Sequence, residues 1–226
     1  MFGLPTHLQH TNDAELKQIL QQTIMLQNGM VASLMARSGV RGLMNYGVSL
    51  VDLRNIARQY GVNHSLAQRL CPLQIREAKI LASLLFDPNA LNDNDLMLIA
   101  NSITNIDMAE NFAQNIVSKI AGTTFFDTLC GGDRWQVVAA IHAVGWAVSR
   151  QSANAAELTE WFTANIGNIA RLGLTETAQP LLATIRTIAE KSPDSTGKLK
   201  RAAENFANAE TDFAKNIGRQ IVEELA

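Results

Sequence analysis

Apolar residues recur at helical spacing along almost the whole of this 226-residue chain. A representative stretch is 50–57, in which Leu50, Leu53 and Ile56 fall on one helical face. Ser49 can cap this helix and Gly61 can end it. No segment shows the alternation of apolar and polar residues that predicts a strand. The spacing therefore predicts an all-α protein.

The segment 134–150 is apolar on nearly every side. A helix of this kind is enclosed by its neighbours, so 134–150 is predicted to be the central helix. Trp135 and Trp146 lie on it and are expected to pack in the core, whereas Trp161 is expected at a hairpin interface. His142 is expected to be a hydrogen-bonded core histidine, because no His, Cys or Asp follows it by three or four residues to share a metal ion.

The predicted helices come in pairs, with a step from pair to pair of about 30 to 45 residues, which is typical of HEAT-type solenoids. The five prolines are widely spaced, and no low-complexity stretch resembles a linker. These features favour a single domain over residues 1–226, built as an α-solenoid of HEAT-like helical hairpins. A compact helical bundle is the alternative.

The charge balance constrains the partners. Charged residues make up 18% of the chain, below the average of about 25%, and the net charge is −2. The molecule as a whole therefore has no long-range attraction for polyanions. Binding to nucleic acid would require its 19 lysines and arginines to be sorted onto one face.

Several other classes of protein lack support in the sequence. A leader segment and an apolar run of 18 residues are both missing, which predicts a cytoplasmic protein with no membrane partner. Cys71 and Cys130 have no nearby cysteine or histidine. No phosphate-binding glycine motif occurs, so no cofactor is expected, and His7, His10 and His64 are scattered, so no metal ion is expected.

Three segments carry a family resemblance. Residues 46–57 (YGVSLVDLRNIA) resemble the "YFGVxxPDLRxIAK" segment of the DNA alkylation repair family, the HEAT-like-repeat alkylpurine DNA glycosylases. Residues 75–82 (IREAKILA) are similar to its "REARILA" helix, and 185–193 (IRTIAEKSP) to its later "LRxxAKxNP" stretch. The matches occur in the family's order, and they agree with the helix pairs.

The resemblance implies a curved solenoid whose concave side holds duplex DNA. The family's glycosylases use a carboxylate, an arginine and two tryptophans on that surface. A carboxylate can stabilise the positive charge that builds on the sugar when the glycosidic bond breaks. Tryptophan faces can contact a cationic alkylated base.

Most of these functional positions are replaced in this chain. The resemblance places the first tryptophan at Ile106, the catalytic aspartate at Glu110, the arginine at Val138 and the second tryptophan at Ala183. Glu110 is the one catalytic candidate that remains, and efficient base excision is not expected. The alternative for Glu110 is a carboxylate in the first turn of a helix capped by Asp107.

The helices implied to line the inner surface begin near residues 49, 74, 106, 134, 177 and 212. Their basic residues are Arg54, Arg58, Arg76, Lys79, Lys119, Arg134, Arg150, Arg186, Lys215 and Arg219. Arg54, Arg76 and Arg186 belong to the family-like segments and are predicted to contact DNA, with Lys215 and Arg219 as further candidates.

The leading hypothesis is a DNA-binding HEAT-like-repeat protein without efficient base excision. It would neutralise the phosphates of double-stranded DNA, including damaged or branched DNA, on its concave face. One alternative is a scaffold that uses this surface for a protein partner, which the low charge favours. The other is an active glycosylase with a rearranged site around Glu110.

Overall fold

The computed structural model describes residues 13–38, 40, 42–207 and 211–226. Within them the chain forms α-helices and no strand, apart from one isolated parallel bridge between Met44 and Ile75. The thirteen helices are α1 (Ala14–Met25), α2 (Gly29–Arg37), α3 (Leu50–Tyr60), α4 (His64–Leu70), α5 (Arg76–Leu85), α6 (Asp93–Ser102), α7 (Ile106–Asn115), α8 (Thr124–Cys130), α9 (Arg134–Ser149), α10 (Ala155–Arg171), α11 (Ala178–Lys191), α12 (Thr196–Ala207) and α13 (Asp212–Glu224). The prediction of an all-α protein is confirmed.

The chain divides into two compact units, Met1–Ile116 and Val117–Ala226. In the first unit α3, α5 and α7 pack consecutively in one row, and α4 packs against α5. In the second unit α9, α11 and α13 form a row, and α10 and α12 pack beside it. Within each unit, therefore, the helices that the resemblance assigns to the inner surface lie in one row. The single domain over residues 1–226 stays a prediction.

Side-chain caps explain why many of these helices begin where they do. Asp13, Asn28, Ser49 and Asn63 each accept a hydrogen bond from the backbone N–H three residues later. Such caps satisfy an N–H group that has no partner within the helix. For α3, the cap at Ser49 and the end at Gly61 are those that the sequence predicts.

Helix α7 differs from its prediction. Asn105, not Asp107, is its cap and accepts from the N–H of Met108, so the prediction that Asp107 caps this helix is wrong. The physical reason is that the helix already begins at Ile106, which puts Asp107 in its first turn and leaves its carboxylate for an ion pair. The helix ends at Asn115 and is followed by a 3₁₀ turn, Val117–Lys119.

Helix α9 is central to the second unit, as predicted. It contacts α8, α10, α11 and the 3₁₀ turn Val117–Lys119. Asp133 and Gln136 form a capping box at its start. Val137 to Ile141 and Val144 are fully buried, which is the burial that its apolar composition predicts.

A buried ionic network holds the first unit together. Arg76 and Glu77, at the start of α5, are 1% and 0% exposed. Arg76 makes two hydrogen bonds to the carboxylate of Asp107, at 2.6 and 3.2 Å, and donates to the carbonyl of Val48 at 3.2 Å. Glu77 lies 3.3 Å from Arg76 and accepts from the backbone N–H groups of Tyr46 (3.1 Å) and Val48 (3.3 Å). The network thus joins α5, α7 and the loop that precedes α3.

Gly47 allows this loop to pass close to the start of α2. Its φ of +70° lies in the left-handed region, and a Cβ there would come within 2.2 Å of the carbonyl oxygen of Asn28. Beside it, the N–H of Asn28 donates to the carbonyl of Tyr46 at 2.7 Å. The loop is therefore fixed both to α5 and to the start of α2.

We expect Glu77→Gln to destabilise the protein by about 3–5 kcal/mol, because removing the charge of one buried partner leaves Arg76 undercompensated. The amide would also direct N–H donors towards the N–H groups of Tyr46 and Val48. The free energy of unfolding, measured by urea denaturation, tests this. Glu110→Gln is the matched control, because Glu110 as a residue is exposed and its side chain makes no hydrogen bond with the described residues. Its change should stay within about 0.5 kcal/mol. Equal effects of the two substitutions would contradict the role given to the network.

Candidate nucleic-acid interface

Arg76 does not lie on the surface. Its guanidinium is enclosed by Asp107, Glu77 and the carbonyl of Val48, which leaves no face for a phosphate. Arg76 is therefore not proposed as a DNA contact, because its guanidinium N–H groups donate to other residues within the fold. Lys79, one turn further along, is likewise buried, and its ammonium donates to the carbonyl of Cys71 at 2.8 Å.

Arg54 lies on α3, at the border of an open pocket. It is half-buried, and its Nη2 donates to the side-chain carbonyl of Gln114 on α7 at 3.1 Å. Arg58, one turn later, is exposed and donates to Asn55 at 2.8 Å. Both arginines line a pocket of 460 Å³, and neither forms an ion pair with a described carboxylate. Their positive charges are therefore available to an anion.

Glu110 lies exposed on α7 and makes no hydrogen bond with the described residues. Partial burial of its carboxylate raises its pKa, and the nearby charge of Asp107 adds to this. Val138, at the position where the resemblance places an arginine, is fully buried in the second unit. Its side chain has neither the charge nor the exposure to assist a reaction on DNA.

Arg186 is exposed on α11 but already has an anionic partner. Its Nε and Nη2 donate to the two carboxylate oxygens of Glu224 on α13, at 2.5 and 2.8 Å. These hydrogen bonds lower the pKa of Glu224. Glu223 lines an open pocket together with Arg186 and Glu224. A phosphate at Arg186 would have to compete with a bidentate carboxylate.

The remaining two predicted residues lie on α13. The ammonium of Lys215 is 4.0 Å from the carboxylate of Asp212, at the outer limit of an ion pair. Arg219, one turn later, is exposed and forms no ion pair within the part of the chain that the structure describes. Both can meet an anion with less competition than Arg186.

Lys119 and Arg150 form a second group of basic residues, which is not among the DNA contacts predicted from the sequence. Lys119 ends the 3₁₀ turn that packs against α9, and Arg150 follows the last residue of α9. Although Lys119 as a whole is exposed, partial burial of its ammonium lowers its pKa, and the positive charge of Arg150 lowers it further. An anion bound by both side chains would offset the repulsion between their charges.

Trp146 lies beside this cation pair. The guanidinium carbon of Arg150 is 4.8 Å from the centroid of the indole ring, a cation–π contact. The indole also lines an open pocket of 220 Å³ between α9 and α11, together with His142, Gly145, Ser149, Ala183, Thr184 and Thr187. Aromatic, cationic and hydroxyl groups thus meet at one place in the second unit.

This pocket corrects two predictions about α9. Trp146 is half-buried at the rim of the pocket, not packed in the core. His142 is also half-buried and makes no hydrogen bond with a described residue; burial lowers its pKa, which favours the neutral ring. The reason is a close approach of α9 and α11, where a Cβ on Gly145 would lie 2.9 Å from Oγ1 of Thr184. Large side chains cannot fill this contact and lie at its edge.

The other two tryptophans differ from each other. Trp135 is half-buried at the start of α9, so it is not fully enclosed in the core as expected. Trp161 is 7% exposed and packs against Phe126, while its Nε1 donates to Asp127 at 2.7 Å. These contacts join α10 to α8, and the predicted place of Trp161 in a hairpin interface stays a prediction.

Two further observations concern classes of site. None of the described helices has the length and apolar character of a membrane span. Among residues 13–38, 42–207 and 211–226, no three or more His, Cys, Asp or Glu side chains are grouped so that they could hold a metal ion.

Comparison with known proteins gives the family. The family described as "DNA alkylation repair enzyme" matches residues 19–173, which is more than half of the chain. A solved structure with 15% sequence identity superposes with a TM-score of 0.70 over 92% of this chain and 94% of its own. That structure belongs to a new family of proteins related to the HEAT-like repeat DNA glycosylases, with affinity for branched DNA structures.

No curated protein matches the chain. The structural similarity confirms the HEAT-like helical-hairpin fold, an α-solenoid architecture, and the family match covers two of the three segments on which the resemblance rests, 46–57 and 75–82. The chain belongs to the DNA alkylation repair enzyme family.

Proposed function

We propose that this protein binds DNA through the phosphate backbone and has no efficient base-excision activity. The observation that carries the proposal is the pair formed by Lys119 and Arg150. Lys119 lies in the turn that packs on α9, and Arg150 lies at the end of α9. Partial burial of the Lys119 ammonium lowers its pKa, and the positive charge of Arg150 lowers it further. A phosphate contacted by both side chains would offset the repulsion between their positive charges.

Other cations that an anion can reach lie in each unit. Arg54 and Arg58 border a pocket on α3, and Lys215 and Arg219 lie one turn apart on α13. These helices belong to the rows that the family resemblance assigns to the concave face. Arg186 is a weaker contributor, because Glu224 already neutralises it.

Contacts of this kind read the shape of DNA and not its sequence. Arginine and lysine side chains on phosphates fix the position of a protein on the duplex but do not distinguish the bases. The affinity of the structurally similar protein for branched DNA supports branched DNA as the first ligand to try. Membership of a repair family supports damaged duplexes as the second.

We expect binding of the full chain to a labelled four-way DNA junction to weaken on the order of 10³-fold between 50 and 200 mM salt, if about six phosphates are engaged. The double variant Lys119→Gln/Arg150→Gln should bind more weakly and should reduce the slope of log K against log salt by about 1.8. Fluorescence anisotropy measures both quantities.

The matched control is Lys198→Gln/Arg201→Gln on α12, outside the α9–α11–α13 row. It removes the same charge and should leave the affinity almost unchanged. Equal weakening by the two double variants would show that only net charge matters. Failure of the wild-type chain to bind duplex, damaged or branched DNA at low salt would refute the proposal.

A scaffold for a protein partner is the second candidate function. The observation in its favour is a set of exposed apolar side chains on α1 and α2, where Met25 is 84%, Met30 77% and Leu34 54% exposed. Exposed methionines are common on protein-binding surfaces because the side chain adapts its shape. Absence of DNA binding, together with an effect of Met30→Lys on capture of a partner protein, would favour this function.

We expect no release of 7-methyl- or 3-methylpurine from alkylated DNA above the spontaneous rate. Glu110 has neither an arginine nor a tryptophan at the positions where the resemblance places them, and its raised pKa reduces its ionised fraction. Chromatography of released bases tests this. Release that Glu110→Gln abolishes would establish an active glycosylase instead.

A further inference from the structure

The pocket between α9 and α11 has the size of a site for one ring system. Its volume of 220 Å³ lies below the roughly 300–1,000 Å³ of pockets for drug-sized ligands. A complete dinucleotide cofactor would not fit, whereas a single heterocycle would. The pocket opens to the surface, because Trp146, His142 and Ala183 at its border are all at least partly exposed.

Three small residues, Gly145, Ala183 and Thr184, line this pocket. Gly145 and Thr184 let the two helices approach so closely that even a methyl group at 145 would collide with Oγ1 of Thr184. Ala183, exposed on α11, adds only a methyl group to the border. The cavity is therefore a consequence of helix packing, and the rigid backbones of α9 and α11 hold its walls.

The walls combine an aromatic face with polar edges. The indole of Trp146 is held under Arg150, and the ring nitrogens of His142 have no partner among the described residues. The hydroxyl of Thr187 donates to the carbonyl of Ala183 at 2.9 Å, so its oxygen remains able to accept a hydrogen bond. An aromatic face with nearby donors and acceptors suits a planar heterocycle with polar edges.

Arg150, which contacts Trp146 at the border of the pocket, offers a cation to a second, anionic part of the ligand. Arg150 contacts the ring of Trp146, and its charge also acts on Lys119. A ligand that bridges these groups has an aromatic heterocycle at one end and an anion at the other, which is the chemistry of a nucleotide. A base inside an intact duplex is stacked and paired, so an unpaired base enters such a pocket at much lower cost.

We propose that the pocket between α9 and α11 holds a single unpaired nucleobase of DNA, with its phosphate at Lys119 and Arg150. This inference rests on the proposed DNA binding and adds to it the part of a branched or bulged DNA that the protein recognises. The phosphate contacts supply affinity for any duplex, whereas the pocket distinguishes unpaired from paired DNA.

The experiment compares a perfect duplex with the same duplex carrying one unpaired adenine, bound to the full chain at fixed salt. Stacking of one base on an aromatic side chain corresponds to about 5- to 150-fold in affinity, and we expect a preference for the bulge within that range. Trp146→Leu removes the aromatic face, and Ala183→Trp fills the pocket from an exposed position. Both variants should lower the affinity for the bulged duplex to that for the perfect duplex, so that the preference is lost.

Ala164→Trp is the matched control, because Ala164 is also an exposed alanine and lines a different groove, between α10 and α12. It should retain the preference. If Ala183→Trp does not fold, Trp146→Leu decides the matter, with 2-aminopurine in the bulge as a fluorescent probe that only the wild-type chain should quench by stacking. Unchanged preference and quenching in Trp146→Leu would overturn the inference.

The outcomes separate this inference from the proposed function. Salt-dependent binding of duplex without any preference for the bulge overturns the nucleobase pocket alone. Absence of binding to every DNA at low salt overturns both. A stronger and Trp146-dependent preference for the same bulge in RNA would assign the pocket to RNA and overturn the assignment to DNA.

Discussion

An arginine and a glutamate can be buried side by side only if nearly every charge and hydrogen-bonding group among them is satisfied. The network of Arg76, Glu77 and Asp107 meets this requirement, with the backbone of Tyr46 and Val48 as the remaining partners. Because these five residues come from α5, α7 and the loop before α3, the network sets the position of each relative to the others. The row of α3, α5 and α7 depends on it.

This network also changes the meaning of the family-like segments. Residues 46–48 and 75–77 are joined by hydrogen bonds, so these two family-like segments have a structural role in this chain. Two classes of cation can therefore be distinguished among the described residues. Arg76 and Lys79 are enclosed and support the fold, whereas Arg54, Lys119 and Arg219 are accessible to an anion. DNA binding can rest only on the second class.

The helices and the cap at Ser49 could be predicted from the sequence, because capping and apolar spacing are local properties, although the cap of α7 is Asn105 and not Asp107 as predicted. The burial of Arg76 could not, since its surroundings come from residues 28 and 31 positions away in the chain. The pocket at Trp146 depends on the close approach of Gly145 to Thr184, which no local pattern indicates. The spacing of Trp146 and Arg150, four residues apart on one helix, was the signal that could have suggested an exposed aromatic face.

In the proposed mode of binding, DNA phosphates lie against the cations of the α9–α11–α13 row and of the turn that packs on α9. Acetylation of lysines in the full chain, with and without a saturating DNA junction at low salt and read by mass spectrometry, tests this most directly. Lys79 is 2% exposed and serves as the unreactive internal reference. The account predicts that DNA protects Lys119 while Lys198 and Lys200 on α12 remain reactive. Protection of Lys198 and Lys200 with Lys119 unprotected would contradict it.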